Sequence, residues 1–85
     1  MALRDYQIAI CDSIVNKKDW GGSNVVVKTI DDVTKVSFYG NVIGIVDHKN
    51  KSVKCDNCGY NNACTSARIN AVKLAANKLG YNVKQ

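Results

Sequence analysis

The stretch NVVVKTIDDVTKVSFYGNVIGIVDHKNKSVKC, residues 24–55, decides the fold. Short apolar runs alternate in it with polar punctuation. "NVVVKTI" reads as a strand, and Asp31-Asp32 turns the chain into a second strand, "TKVSFY". Gly40-Asn41 is a good two-residue hairpin connection, because both residues tolerate positive φ. "VIGIVD" follows, then the polar turn "HKNK", then "SVKC". The expectation is three or four antiparallel strands in meander order.

Outward from this core, both flanks read as helix. In residues 2–16 Leu3, Tyr6, Ile10 and Ile14 share a narrow stripe, widened on one side by Ile8, Cys11 and Val15. "WGGS" at 20–23 breaks that helix. A second helix spans about Thr65 to Lys78, with Thr65 or Ser66 as cap and Gly80 where a C-terminal glycine belongs. Its packing face is Ile69, Val72, Ala76 and Leu79, with Asn70, Lys73 and Asn77 opposite. Leu74 falls outside the stripe and is expected to point outward. Arg68 falls on the flank of the apolar side, as a ligand contact or as a stem covering the sheet edge. The fold class is therefore α+β: an N-terminal helix, an antiparallel β-meander, and a C-terminal helix packed on the sheet.

The chain has 85 residues, which fits a single domain spanning 1–85, since chains hold about one per ~100–200 residues. A domain of this size exposes much of its surface, so a metal, a disulfide or a dimer partner is a plausible helper. The start lacks the charged-then-apolar layout of a secretory signal. Apolar runs such as "NVIGIV" fall far short of the ~20 residues that span a bilayer. A soluble intracellular protein is expected, with its four cysteines reduced or metal-bound. Twelve Lys and Arg against seven Asp and Glu leave +5. Such an excess favours polyanionic partners, or simply keeps a surface soluble.

The cysteines raise a specific question. "KCDNCGY", residues 54–60, holds Cys55 and Cys58 in the C-x-x-C-G-aromatic form of a zinc knuckle. A structural zinc needs four ligands. Cys64 and His48 supply the others as H-x6-C-x2-C-x5-C, while Cys11 lies on the first helix. The alternative is that these thiols are small buried hydrophobes. A redox pair is disfavoured, because Gly59 and the Asn pair separate the cysteines from the next helix N-terminus. Catalysis has little support: one histidine, no nucleophile motif, no phosphate loop. Asp31-Asp32 reads as a turn, and Asp47-His48 has nothing beside it to activate.

Binding is the class that remains. Lys49, Lys51 and Lys54 cluster in and after one hairpin turn, and Lys17-Lys18 precede Trp20. If the turn and the WGG loop share one end of the sheet, they form a basic patch with an aromatic, suited to phosphate contact and base stacking. Otherwise the turn is merely solvated and Trp20 plugs the core.

Tyr39, Gly40, Asn41, Ile43, Gly59, Tyr60, Thr65, Arg68, Ile69 and Asn70 carry a pattern "GN-I … G-aromatic … T-x-x-RIN". Over residues 25–80 it resembles a family of small proteins of tailed bacteriophages. The resemblance implies a phage origin and no particular chemistry, and it makes Cys55 and Cys58 local additions. The order helix, three strands, helix is also that of the double-stranded RNA-binding domain. That module needs a lysine cluster at the start of its last helix, where "TSARIN" has one Arg. The expectation is a non-catalytic, small basic phage-encoded protein that binds nucleic acid or a host nucleoprotein in the host cytoplasm, with no membrane partner. Its alternatives are a protein-directed inhibitor, such as an anti-CRISPR or other anti-defence factor, and a virion or assembly component. A homodimer is compatible with each.

Overall fold

The computed structural model describes residues 4–22, 24–56 and 63–84. Helix α1 (Asp5–Val15) leads into β1 (Trp20–Gly22), β2 (Val25–Ile30), β3 (Val33–Phe38), β4 (Asn41–Asp47) and β5 (Ser52–Cys55). Helix α2 (Ala63–Leu79) and β6 (Asn82–Lys84) follow. The α+β order of helix, meander and helix is present, but the sheet has six strands in the order β1 to β6, where three or four were expected. Both additional strands are three residues long and need a template. β1, read as a loop in sequence, pairs antiparallel with β2 through Trp20 and Val27. β6 runs parallel to β5, because α2 carries the chain back across the sheet before it pairs.

Two tight turns set the register. Asp31 and Asp32 have φ of 50° and 64°, the left-handed pair that a two-residue hairpin requires. The next loop is Tyr39-Gly40, one residue earlier than the Gly40-Asn41 expected, so Asn41 joins β4 and pairs with Phe38. Tyr39 is anchored there twice. Its N–H donates to the Asn24 carbonyl at 3.0 Å, and its hydroxyl accepts from Asn24 Nδ2 at 2.9 Å. The resulting shift is absorbed by a bulge in which Val36 faces Gly44 while Ser37 faces Val42. Ile43 is the extra residue, and both Ile43 and Gly44 are buried.

That bulge brings Gly44 beneath α2. A Cβ at Gly44 would lie 3.1 and 3.2 Å from the two methyl carbons of Val72, so any larger residue would require Val72 to give way by a few tenths of an ångström. The facing side of α2 is correspondingly slim: Ala71, Val72, Ala75 and Ala76 are all fully buried. Helix α2 contacts β4, β5 and β6, while α1 covers β1 and β2 and packs along α2. Leu74 is partly buried against the core, not outward, because α1 gives α2 a second apolar wall. Gln7 ties the helices together by donating from Nε2 to the Ala67 carbonyl at 2.9 Å.

Helix limits differ from the sequence reading by a few residues. α1 starts at Asp5, with Arg4 extended and its N–H bonded to Gln7 Oε1. α2 starts at Ala63, ahead of the proposed Thr65 and Ser66 caps. Its end follows the Schellman pattern: Gly80 N–H donates to Asn77 and Tyr81 N–H to Ala76, with Gly80 at φ 73°. The core is Ile10, Cys11 and Ile14 from α1, the small face of α2, and Val25, Val27, Val36, Phe38, Ile43, Val46 and Val53 from the sheet. All of it lies on one side. Among the described residues nothing covers the other face of the sheet.

Candidate functional site

The uncovered face has a simple chemistry, fixed by alternation and register. Lys28 pairs with Lys35, Lys35 with Ile45, and Ile45 with Lys54. Paired residues share a face. All three lysines are exposed, and their chain neighbours Val27, Val36 and Val53 are buried. At ~4.8 Å per strand the row from Lys28 to Lys54 is about 14 Å long. The next position of the row, on β6, is Lys84. Around the row stand aliphatic side chains: Val26 is 47% exposed, Ile30 67%, Val42 37% and Ile45 37%. Between the hairpin strands lies a shallow groove of about 490 Å³, lined by Val26, Lys28, Ile30, Asp31, Val33, Lys35 and Ser37.

Among the described residues the ion pair is Lys17 with Asp32, at 3.4 Å, and none reaches Lys28, Lys35 or Lys54. The strand carboxylate on this face, Asp47, is committed to its own turn. Its Oδ1 accepts from the Lys49 and Asn50 amides at 3.1 Å each, and its Oδ2 from Asn50 Nδ2 at 2.7 Å. Those donors, Asn50 foremost, hold Asp47 below the usual carboxylate range. Two like charges directly opposite on a sheet destabilise it. The Lys28–Lys35 pair therefore works against folding.

The lysines singled out in sequence are divided by the structure. Lys54 belongs to the row. Lys49 and Lys51 lie exposed in the β4–β5 turn, at the end of the sheet shared with Asp31 and Asp32. Lys28 and Lys35 were missed, because basic residues were grouped along the chain and not across strands. A signal existed: a two-residue turn at Asp31-Asp32 fixes Lys28 opposite Lys35.

Trp20 and Arg68 sit on the helical side. Trp20 pairs with buried Val27 and packs against the core, its ring over Gly22. The Arg68 guanidinium lies 4.4 Å from the Tyr6 ring centre and 4.3 Å from that of Phe38, a cation between two aromatic faces. This arrangement fastens α2 to α1 and to β3.

His48 is buried at the end of the sheet, within a chain of hydroxyls. Its Nε2 lies 2.8 Å from Thr34 Oγ1, which lies 2.7 Å from Thr29 Oγ1, and its Nδ1 lies 3.2 Å from the Tyr81 hydroxyl. Burial, and next the charge of Lys17, push its pKa below the ordinary value, with Asp32 and Asp47 pulling the other way. Cys55 is three residues along β5 from Ser52, which pairs beside His48 with Asp47. Gly44 is the partner of Cys55 and lies four residues from His48, so the two proposed ligands are about 13 Å apart along the strand. Cys55 packs against the core, and burial raises its thiol pKa against the opposing charge of Lys73. Cys58 and the side chain of Cys64 lie outside the described residues. Among the described residues no three His, Cys, Asp or Glu side chains gather as a metal site, and no helix is long and apolar enough to cross a membrane.

A family model described as the Kyanoviridae Gp96 protein matches residues 3–85. No curated protein and no solved structure matches the chain.

Proposed function

The chain belongs to the Kyanoviridae Gp96 protein family, a family of phage proteins, and on that premise we propose that it is a non-catalytic binding protein for nucleic acid. The contact surface is the uncovered face of the sheet. One observation carries the reading: Lys28, Lys35 and Lys54 stand in register across that face with no carboxylate partner among the described residues. Phosphate contact releases counterions and accounts for keeping like charges side by side against the preference of the fold. The net charge of +5 supplies long-range attraction to the same class of target. The protein would act inside the host cell, on nucleic acid or a nucleoprotein.

The test is charge reversal at two places. Changing Lys28, Lys35 and Lys54 together to Glu abolishes binding to a labelled oligonucleotide, whereas changing Lys49 and Lys51 to Glu weakens it modestly. Equal loss from both sets, or loss from the turn alone, overturns the assignment of the face. A second reading, a protein-directed inhibitor of a host defence, is favoured by the exposure of Val26 and Ile30. It requires a stoichiometric complex with one acidic host protein and no affinity for nucleic acid.

A further inference from the structure

On the reading that the uncovered face binds nucleic acid, its side chains also indicate which form. Single-strand binders stack successive bases on aromatic rings. No aromatic residue of the described strands shares this face. Trp20 and Phe38 pack on the helical side, and Tyr39 sits in a hairpin turn, tied to Asn24. What the face offers instead is an aliphatic side chain with a lysine on either side. Ile45 lies between Lys35 on one neighbouring strand and Lys54 on the other. Those two lysines are about 10 Å apart at the backbone, two strand spacings.

We propose that the ligand is duplex DNA, gripped across the minor groove. Two phosphate backbones border a groove about 6 Å wide, a span that Lys35 and Lys54 bracket with their long side chains. Ile45 enters between them as an aliphatic wedge. Such wedges partly unstack a base step and bend the duplex. The minor groove is favoured over the major because aliphatic wedges of this kind enter base steps from the minor-groove side. Lys28 extends the row to a further phosphate.

The experiment uses the full chain, one labelled 20-base-pair duplex and its two separated strands, measured by fluorescence anisotropy at one salt concentration. A companion assay closes a nicked plasmid with ligase in the presence of the protein and reads the linking number. The duplex is expected to bind at least tenfold more tightly than either strand, and plasmids closed with protein are expected to shift in linking number. Ile45→Ser, at an exposed position, weakens duplex binding about tenfold, the loss of one inserted aliphatic side chain. It also removes the topological shift. Single strands binding as tightly as the duplex overturn the inference while leaving nucleic-acid binding intact. So does an Ile45→Ser variant with unaltered affinity and linking number. Absence of binding to every form removes the proposed function itself.

Discussion

At the scale of single residues, Lys28 and Lys35 separate what the fold needs from what the surface does. Lys28→Glu places a carboxylate opposite Lys35, so thermal or denaturant unfolding should show a gain of about 0.2–1 kcal/mol. The same change should weaken nucleic-acid binding. A variant that is more stable and less active fits a side chain retained for contact, whereas a less stable one would make the lysine structural. His48 offers a second measurable property. Its folded-state pKa lies below the ordinary 6.5. A depressed histidine pKa stabilises the fold where the ring is neutral, so that contribution is complete above about pH 6.5 and is lost as pH falls through the folded value. Denaturation midpoints should be flat above neutrality and decline below pH 6.5, and His48→Gln should reduce that decline. An unchanged slope would show that His48 is not the responsible group. In sequence His48 read as a candidate zinc ligand beside Asp47, with no sign of its hydroxyl partners. That its partners are Thr34 and Tyr81 depends on β6 and the β2–β3 hairpin meeting at one end of the sheet, which no local spacing encodes.

At the scale of elements, the hairpins were legible because turn chemistry is local, and their details were not, because neighbours choose among local options. Gly40-Asn41 and Tyr39-Gly40 are both acceptable two-residue turns. Asn24, from the start of another strand, selects the second by holding Tyr39 at its backbone and hydroxyl. The bulge at Ile43 then compensates for the shift and delivers Gly44 to α2. Gly44→Ala should therefore destabilise the protein by about 1–3 kcal/mol, an overpacking cost, since Val72 is fully buried and has little room to yield. Chemical denaturation tests this, and a cost near zero would mean that α2 is free to ride up from the sheet. The outward placement expected for Leu74 failed for a related reason. A helical wheel assumes one partner surface, and α2 has two, the sheet and α1. β1 and β6 were invisible in sequence because three residues carry no periodicity.

At the scale of the whole molecule, the helices lie on one face and the lysine row on the other, so the protein is two-sided in chemistry as well as in structure. Basicity was evident from composition, but its location was not. Charges that are distant in sequence, at 28, 35 and 54, become neighbours only through strand pairing. Lysines that are close in sequence, at 49, 51 and 54, are divided between a turn and the sheet. Family membership agrees with the resemblance to small phage proteins and assigns no activity, so the surface carries the functional argument. The most direct test is the salt dependence of duplex binding for the wild-type chain and for a Lys28→Gln, Lys35→Gln, Lys54→Gln variant. Each phosphate contact contributes a slope of about −0.9 to log K against log salt concentration. Removing three should make the slope shallower by about 2.7. Parallel lines for the two proteins would contradict the account, because they would place the phosphate contacts elsewhere on the molecule.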